Sequence, residues 1–554
     1  MLLALLALGF QDPGGRWDQL DRMDGLHGES FGDAMAIGPD YDGDGWPEFL
    51  VGAPDRHFGN VGGASLMRGG ADQPIWEFVS PYWLSNASCT GAEVAFVPDL
   101  NFDGYADVLV GDPCDRELAT GGSGRVYVLD GLRGTILREH TGLRVGTGPL
   151  GDNTGAAVLG VADVDQDGAG DYVVGAPSSD FGFGTTDYRG KVTLFSGSTG
   201  VELWSFGGQP SDGAGRHLAV GPDLTLDGRP EILTNGHFPY AAYYLDPMSG
   251  HVVQTIPQML NSVGTSAGGA WSLAAADLDG DGLVDLLRGS HGSVPGVPNS
   301  GLLAAVSSAT KQILWRTESN VPYELFGYSM SPMDDLDLDG IPEILVGVPT
   351  DGVSHASGEG YAQVLSGRDG SHLWSIRTSH EQRTGYGRAV GTTGRHGRRD
   401  VALIGEPFSS LVLPSAGAVH VVRFEPFLTA SEFAVSAAAG ASITYSLDFP
   451  ASEAGLPYAL LASASGRGPT MLGGLAVPLT ADSVFTRSVA GNYPAGILFP
   501  RGRLDANGRA QSFLNAAPGA LAAQVGRTFH LAAVIGMGGA ARLTSIAVPL
   551  VVEP

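Results

Sequence analysis

A nine-residue acidic pattern recurs six times along this chain, at intervals of about 60 residues, and it constrains the fold more than any other feature. The first copy reads DYDGDGWPE and runs from Asp40 to Glu48. Every copy has glycine at its sixth position and an acidic residue at its ninth. The other copies begin at Asp99, Asp163, Asp223, Asp277 and Asp335. A long, fixed period predicts a repeat architecture in which each unit is one supersecondary element.

Two glycines keep a fixed register with the acidic pattern. One stands eight residues before the first aspartate of every copy: Gly32, Gly91, Gly155, Gly215, Gly269 and Gly327. In five copies a second glycine stands twenty residues after the first: Gly52, Gly111, Gly175, Gly289 and Gly347. The repeat therefore extends beyond the acidic loop into the residues on both sides of it.

Each unit also contains a β-hairpin. The segments GGSGRVYVLDGLRGTILRE, RGKVTLFSGSTGVELWSF and EGYAQVLSGRDGSHLWSI alternate apolar and polar residues on both sides of a glycine-containing turn, as hairpins do. With one strand before the acidic loop and one after it, a unit has four strands. A seventh, degenerate unit has eighteen residues between Gly387 and Gly405 and keeps only Asp400 in its loop. Seven such units predict an all-β, seven-bladed β-propeller over residues 16–424; an open β-solenoid is the alternative.

Tryptophans indicate how the ring closes. Four predicted fourth strands carry a tryptophan 11 to 15 residues before the first glycine of the next unit: Trp76, Trp204, Trp315 and Trp374. Trp17 precedes Gly32 by fifteen residues, yet no first three strands stand ahead of it. We predict that the strand around Trp17 completes the seventh unit, whose third strand is AVHVVRF. The alternative is that FEPFLTA supplies this strand.

Charge excludes some partner classes. The chain of 554 residues has a formal net charge of −28 and a pI near 4.6. Nucleic acids and anionic membrane surfaces require a basic patch, so neither is predicted as a partner. The acidic excess lies before residue 425, because the remaining residues carry seven carboxylates and seven arginines.

The N-terminus is apolar. The first ten residues, MLLALLALGF, are too few to cross a bilayer, which takes about 20 residues. They resemble the hydrophobic part of a secretory signal without its basic start, so residues 1–12 are predicted to be a signal-peptide remnant. A buried N-terminal strand is the alternative. No later segment has the pattern of a transmembrane helix, and the predicted location is secreted, cell-surface or periplasmic.

The chain has two cysteines, Cys89 and Cys114. They flank one strand-loop-strand unit at similar distances from its turn, so a hairpin would bring them face to face. This placement predicts a disulfide and an oxidising compartment. Two unrelated buried thiols are the alternative.

The acidic loops have the residue types of a Ca²⁺ site. Numbered from Asp40, carboxylates stand at positions 1, 3, 5 and 9, and Gly45 stands at position 6. Alternation directs three short side chains at one point, the glycine permits a sharp turn, the position 7 carbonyl points inward and the last carboxylate completes the shell. Hard oxygen ligands in this number suit Ca²⁺. Solvated acidic turns are the alternative, although carboxylates packed together without a cation repel one another.

We predict five strong Ca²⁺ sites and a sixth, weaker site in the fourth loop, where Thr225 replaces a carboxylate. The predicted ligands are the residues at positions 1, 3, 5, 7 and 9: Asp40, Asp42, Asp44, Trp46, Glu48, Asp99, Asn101, Asp103, Tyr105, Asp107, Asp163, Asp165, Asp167, Ala169, Asp171, Asp223, Thr225, Asp227, Arg229, Glu231, Asp277, Asp279, Asp281, Leu283, Asp285, Asp335, Asp337, Asp339, Ile341 and Glu343.

The motifs around the loops resemble those of a known family. Phe31 and Gly32 spell FG, residues 52–54 and 175–177 spell GAP, and the acidic loop lies between the two motifs. These residues are similar to the FG-GAP repeats of the integrin α-subunit N-terminal propeller, over roughly residues 16–424. The resemblance implies Ca²⁺-binding loops on one face of the propeller and ligand binding by other loops outside the cell. The leg domains, membrane span and cytoplasmic tail of an integrin subunit have no counterpart in this sequence, so a heterodimeric receptor role is not implied.

The residues from 427 to 554 differ in composition, being rich in alanine and glycine and free of lysine and acidic loops. The segments ASITYSLDF, RTFHLAAVIG and LTSIAVPLVV, with a turn at LDANGRA, predict a small β-sandwich-like C-terminal domain.

Several catalytic motifs are missing from the sequence: it contains no HExxH, Walker or CxxC motif. The leading prediction is a secreted or cell-surface Ca²⁺-binding propeller that binds a protein or glycan ligand, with no catalytic residue assigned. An extracellular enzyme, either a polysaccharide lyase or a phospholipase-like hydrolase, is the alternative, because propeller active sites are assembled from several blades and fold alone excludes no enzyme. Such an enzyme should show a cluster of His, Arg, Lys or Tyr around the central channel. A quinone-cofactor propeller is a third hypothesis.

Overall fold

The structure is a computed structural model that describes residues 15–25, 30–54, 62–69, 73–82, 88–114, 123–143, 151–179, 188–236, 242–256, 272–290, 297–350, 360–377, 384–396, 399–409, 416–493, 497–498, 500–536 and 541–554. The predicted signal-peptide remnant lies outside the described residues. Strands dominate these residues, and their helices are one α-helix, α1 (Ser483–Val489), and the 3₁₀ turns Ala451–Glu453 and Ala522–Gln524. The predicted all-β class is confirmed.

Seven four-stranded antiparallel sheets, here called blades 1 to 7, are formed by the described residues between 16 and 425. Blade 7 combines the first strand of the chain, β1 (Arg16–Asp24), with β26 (Val390–His396), β27 (Arg399–Glu406) and β28 (Ala418–Glu425). Blade 1 contains β2 (Ala34–Ile37), β3 (Phe49–Ala53), β4 (Gly63–Met67) and β5 (Pro74–Val79). Blade 2 contains β6 (Glu93–Val97), β7 (Asp107–Asp112), β8 (Arg125–Leu129) and β9 (Ile136–Thr141). Blade 3 contains β10 (Ala157–Val161), β11 (Asp171–Ala176), β12 (Lys191–Phe195) and β13 (Glu202–Gly207). Blade 4 contains β14 (His217–Val220), β15 (Ile232–Asn235), β16 (Ala242–Leu245) and β17 (Val252–Ile256). Blade 5 contains β18 (Ser272–Ala276), β19 (Asp285–Ser290), β20 (Leu302–Val306) and β21 (Ile313–Glu318). Blade 6 contains β22 (Ser329–Pro332), β23 (Ile344–Val348), β24 (Tyr361–Leu365) and β25 (His372–Ile376).

The blades form a closed ring. The first strand of each blade contacts the first strand of the next, from β2 through β6, β10, β14, β18 and β22 to β26, and β26 contacts β2 again. The second strands of blades 1 to 6 are fully buried, as in β3, β7 and β11. These contacts are those of a β-propeller, in which radial repetition protects the sheet edges.

The repeated glycines lie where neighbouring blades approach most closely. A Cβ added to Gly52 of blade 1 would overlap the carbonyl oxygen of Gly91 in blade 2, and a Cβ on Gly405 of blade 7 would overlap the carbonyl of Gly32 in blade 1. The same contact recurs at Gly111, Gly175, Gly289 and Gly347. The fixed spacing of the glycines in the sequence therefore reflects close packing between blades. Blade 4 is an exception, with Asn235 at this position, and Gly269 lies outside the described residues.

Tryptophans on three fourth strands tie each blade to the next. The indole nitrogen of Trp76 donates to the carbonyl of Gly131, 2.8 Å away, in the hairpin turn of blade 2. Trp204 and Trp315 make the equivalent bonds to blades 4 and 6 at 2.7 and 2.6 Å. The spacing of these tryptophans reflects a repeated contact between consecutive blades.

The strand around Trp17 completes blade 7, as predicted. β1 pairs antiparallel with β28, from Arg16 opposite Glu425 to Asp24 opposite Ala418. The Trp17 ring lies 5.3 Å from that of Phe424. FEPFLTA does not supply this strand, because its residues 428–430 form β29 and pair elsewhere. The N-terminal end of the chain therefore covers the last edge of the ring.

The predicted disulfide between Cys89 and Cys114 is confirmed. The two cysteines flank the paired strands β6 and β7, and their Cα atoms lie 5.3 Å apart. The backbone nitrogen of Cys89 also donates to the buried carboxylate of Asp112 at 2.8 Å. The bond therefore holds together the two ends of one strand pair in blade 2.

Replacing both cysteines by serine is expected to lower the free energy of unfolding by about 3 kcal/mol, because the bridge closes a loop with a sequence separation of 25 residues in the unfolded chain. Urea unfolding of the double variant beside the oxidised protein measures the change. Equal midpoints would show that the bond adds no stability.

The C-terminal segment, residues 427–554, forms two further sheets and a hairpin in the described residues. One sheet contains β29 (Leu428–Ala430), β31 (Ala441–Asp448), β37 (Arg509–Ala516) and β35 (Ile497–Leu498). The other contains β30 (Ala434–Ser436), β40 (Val548–Glu553), β38 (Thr528–Ile535), β32 (Pro457–Ser463) and β36 (Arg501–Arg503), with β39 (Leu543–Thr544) beside β38, and the hairpin is β33 (Thr470–Leu472) with β34 (Leu475–Val477). Side chains of both sheets share one apolar cluster, which confirms the sandwich-like class.

The apolar cluster of the C-terminal segment continues into the propeller. Tyr445 and Leu460 of the segment belong to the same cluster as Trp374 of blade 6 and Phe424 of blade 7. The segment therefore packs against the last two blades. The division of the chain at residues 424 and 427 stays a prediction.

Candidate metal centres in the repeated loops

The six acidic loops occupy the same place in six blades. Each joins the first strand of a blade to the second, as residues 38–48 do between β2 and β3. Because the first strands line the ring in the same direction, all six loops lie at one end of it. In blade 7 the corresponding strands instead pair up to His396 opposite Arg399.

One backbone arrangement recurs in all six loops. The nitrogen of the position 6 glycine donates to the position 1 aspartate, as from Gly45 to Asp40 at 2.8 Å, and the six distances span 2.7 to 3.0 Å. The position 7 nitrogen donates to the position 5 aspartate, as from Trp46 to Asp44 at 2.7 Å. The position 6 glycines have φ between 85° and 97°, and an added Cβ on Gly104, Gly168, Gly228, Gly282 or Gly340 would meet nothing within 4 Å. Glycine is needed there for its conformation.

Four loops bring carboxylates together closely enough to hold one cation. In each group, one oxygen per residue lies within 4.8 Å of the others. The groups are Asp40, Asp42 and Glu48; Asp163, Asp165 and Asp171; Asp277, Asp279 and Asp285; and Asp335, Asp337, Asp339 and Glu343. Positions 1, 3 and 9 therefore meet in these four loops, whereas position 5 joins a group only in the sixth loop. Their role as metal ligands stays a prediction.

Loops 2 and 4 lack such a group because their third position is not acidic. Asn101 and Thr225 stand there, beside Asp99, Asp103 and Asp107 in loop 2. An amide oxygen is a usual Ca²⁺ ligand, so loop 2 keeps an oxygen donor where loop 4 offers a hydroxyl. Both loops keep three carboxylates, and loop 4 is the weaker of the two because a hydroxyl stands where loop 2 has an amide oxygen. The position 5 and 7 residues of all loops remain predicted ligands.

The position 9 carboxylate has a structural role that the sequence did not reveal. All six of these residues are 0% exposed. Each accepts a hydrogen bond from the backbone nitrogen at position 2, for example from Leu100 to Asp107 at 2.8 Å and from Leu224 to Glu231 at 2.7 Å. Where position 9 is aspartate, its other oxygen accepts a bond from the hairpin turn of the same blade, as from Gly131 to Asp107 at 2.9 Å. The residue thus anchors the loop to its blade.

Two of these carboxylates keep a buried oxygen without a hydrogen-bond partner among the described residues. They are Oε1 of Glu48 and Oε1 of Glu343, and both side chains belong to carboxylate groups. A buried, unsatisfied carboxylate oxygen is costly. A hard divalent cation in the group would satisfy it, so these residues fit a Ca²⁺ ion.

Burial and mutual repulsion make the loops poor places for several unneutralised charges. Burial, followed by the charges of neighbouring aspartates, raises the pKa of Asp107 and of Asp285 to about 6. The pKa values of Glu48 and Asp171 are raised, first by burial. Burial and the neighbouring Asp337 raise the pKa of Glu343 strongly. A bound cation favours the charged forms and removes this cost.

Arginines partner the loops, and sequence reasoning missed them. Arg68 lies 2.9 Å from Asp42, and Arg133 lies 3.0 Å from Asp103. These arginines come from the second hairpin of the same blade, and no residue spacing in the sequence points to the contact. The two arginines neutralise part of the negative charge of loops 1 and 2.

Replacing Thr225 by aspartate is expected to create a full set of carboxylates in loop 4, since the backbone of residue 225 already donates to Glu231 at 3.0 Å. The weakest Ca²⁺ ion should bind about tenfold more tightly, as an added charged ligand raises affinity. Isothermal titration calorimetry measures this affinity, with Thr225→Asn as the uncharged control. An aspartate variant that titrates like the asparagine variant would contradict the assignment.

A cavity of about 280 Å³ lies on the axis at the other end of the ring, where the first strands begin. Arg216, His217, Tyr328 and Arg388 are among its lining residues. Arg388 forms an ion pair with Asp33 and lies 5.0 Å from the centre of the Tyr328 ring. The cavity brings together the residue types that the enzymatic alternative requires.

Known proteins share the repeat. The family model described as "FG-GAP-like repeat" matches residues 40–110 and 223–287, which contain loops 1, 2, 4 and 5. Integrin α-6 of Gallus gallus is 34% identical over 158 residues, covering 27% of this chain and 14% of that protein. Integrin α-5 of Xenopus laevis is 29% identical over 219 residues, covering 37% of this chain and 19% of that protein. The predicted resemblance is confirmed.

A relative with an enzyme name also matches. Phosphatidylinositol-glycan-specific phospholipase D of Rattus norvegicus is 27% identical over 249 residues, covering 42% of this chain and 23% of that protein. The matched segments span less than a quarter of each of these relatives. A quinohemoprotein alcohol dehydrogenase from Comamonas testosteroni superposes with a TM-score of 0.41 and 13% identity, over 68% of this chain and 65% of the other.

Proposed function

We propose that this FG-GAP repeat protein, which resembles integrin α-subunits, is an extracellular, Ca²⁺-binding β-propeller that binds a protein or glycan ligand. The observation that best supports metal binding is that each of the six loops has a fully buried position 9 carboxylate. The integrin relatives and the disulfide support the extracellular location. It is secreted, at the cell surface or periplasmic.

The ions would serve the propeller itself. The loops link the innermost strand of a blade to its buried second strand, and carboxylates of positions 1, 3 and 9 would share one ion. Each ion would offset the repulsion within a loop and fix the strand pair that carries it. Rigid blades would in turn position the loops at the other end of the ring, which is how repeat scaffolds present binding loops.

The partner class follows from charge and topology. The net charge of −28 disfavours nucleic acid and anionic lipid as ligands. No helix in the described part of the chain has the length and apolar character needed to cross a membrane. A protein or glycan ligand is consistent with this net charge.

Protein and glycan arrays probed with the full chain test this function. We expect binding to at least one ligand class in 2 mM Ca²⁺, on the order of extracellular affinities for this ion, and loss of binding after chelation. Circular dichroism of the chelated sample, recorded in parallel, shows whether the blades remain folded. Absence of binding from both arrays in Ca²⁺ would contradict a role as a binding module.

The axial cavity favours a second candidate, an extracellular hydrolase or lyase. His217 and Tyr328 come from blades 4 and 6 and line the same cavity as two arginines. Turnover of phosphodiester or polysaccharide substrates that is abolished by His217→Ala, with an unchanged melting temperature, would support an enzyme over a binding module.

A further inference from the structure

We infer that the sixth loop is an interdomain site, at which Arg467 of the C-terminal segment opposes Ca²⁺ binding, so that ion binding and the contact with this segment are negatively linked. The inference rests on the proposed Ca²⁺ role of the loops. It adds a regulation that the other five loops do not have in the described residues.

The contact joins residues far apart in the chain. Nη1 of Arg467 donates to Oδ1 of Asp337 at 2.7 Å and also to the backbone carbonyl of Asp337. Asp337 is the position 3 residue of the loop and a member of its carboxylate group. The two side chains are 24% and 16% exposed, so solvent screens their interaction less than a surface pair. A cation from outside the propeller thus contacts a predicted metal ligand.

The sixth loop has the highest carboxylate density of the six. Its group contains four residues, whereas the groups of loops 1, 3 and 5 contain three. Oε1 of Glu343, fully buried, has no hydrogen-bond partner among the described residues. Arg368 of blade 6 pairs with Asp339 at 2.6 Å. The two arginines therefore offset two of the four negative charges of the group, and one divalent ion would offset the other two.

Apolar contacts hold the segment in place without Arg467. Leu338, at position 4 of the sixth loop, packs against the cluster that runs from blades 6 and 7 into the C-terminal segment. The equivalent side chains Phe102 and Leu226 are 64% and 82% exposed. The cluster therefore covers the position 4 side chain of the sixth loop, whereas those of loops 2 and 4 are open to solvent. A cavity of about 370 Å³ beside this contact is lined by residues of the sixth loop and of the C-terminal segment, among them Asp337, Arg467 and His530.

The sign of the linkage follows from charge. A Ca²⁺ ion and the guanidinium would share the carboxylate of Asp337, and two cations on one carboxylate repel each other at short range. Arg467 therefore lowers the Ca²⁺ affinity of this loop. By reciprocity, a bound ion weakens the Arg467 contact by the same factor. The apolar cluster keeps the segment attached while the hydrogen bonds from Arg467 to Asp337 weaken.

Hydrogen exchange measured by mass spectrometry during a Ca²⁺ titration tests the linkage in the full chain. The peptide over residues 333–346 reports the sixth loop, and peptides over loops 3 and 5 are internal references. In Arg467→Met, the Ca²⁺ concentration at half-protection of the sixth loop should fall about tenfold, within the usual range of coupling between sites. Loops 3 and 5 should not shift. In the wild-type chain, the segment around Arg467 should lose protection as the sixth loop gains it.

Two variants separate charge from packing. Arg467→Lys keeps the charge, so its midpoint should stay near that of the wild type. Arg133→Met removes a charge from loop 2 alone and should leave the sixth loop unchanged. An unshifted sixth-loop midpoint in Arg467→Met, while all loops respond to Ca²⁺, would overturn the linkage alone. If no loop gains protection with Ca²⁺, the proposed metal role itself fails.

Discussion

Chelating Ca²⁺ from the loaded protein is expected to lower its melting temperature by roughly 15 °C. Five sites, each loaded at a free concentration one hundred times its Kd, contribute about 13 kcal/mol to the folded state. The unfolding entropy of a propeller of about 400 residues converts this free energy into the stated shift. The structural basis is the burial of every position 9 carboxylate and the repulsion within each loop. Differential scanning calorimetry with Ca²⁺, with chelator and with Ca²⁺ restored measures the change.

Magnesium is the control for this experiment, because an equal concentration of Mg²⁺ matches the ionic strength and charge. Mg²⁺ is smaller and loses its water reluctantly, so it should restore only a small part of the shift. A melting temperature that is unaffected by chelation would contradict a stabilising metal in these loops.

Deleting residues 1–24 is expected to destabilise the propeller by roughly 5 kcal/mol and to cause aggregation. The deletion removes β1, including Met23, which is 2% exposed, and the Trp17 contact with Phe424, and each lost apolar side chain costs about 1.5–3 kcal/mol. It also uncovers β28, whose residues are nearly all buried. An uncovered apolar edge strand invites pairing with a second chain.

Deletion of residues 1–14 is the matched control, since it leaves β1 in place. Thermal melting and size-exclusion chromatography compare the two variants. The shorter deletion should behave as the full chain, and the longer one should melt earlier and elute in part as aggregate. Identical melting of both variants would show that the ring closes without β1.

The fold was largely readable from the sequence because its constraints are local and repeated. The glycine register predicted the units, and the structure shows why: Gly52 and Gly405 permit contact with the carbonyls of the neighbouring blades. The spacing of Trp17 from Gly32 predicted the closing strand. Each of these signals repeats along the chain, so one copy supports the interpretation of the next.

The site was only partly readable, because the rest depends on contacts without a repeat. The position 9 residue was predicted as a ligand, but its bond to the position 2 backbone requires knowledge of the loop conformation. Arg467 contacts Asp337 across 130 residues of chain. It occurs once and belongs to a segment without a motif. Packing of the C-terminal segment against blade 6 produces this contact, and periodicity cannot predict it.

Equilibrium dialysis against buffered Ca²⁺, with metal counted by mass spectrometry, tests most directly whether the six loops are metal sites. We expect five ions per chain at sub-millimolar free Ca²⁺ and a sixth at higher concentration, with the sixth lost selectively in Asp223→Asn of loop 4. Fewer than two bound ions per folded chain at millimolar Ca²⁺ would contradict it, because the four carboxylate groups would then be acidic turns without a cation.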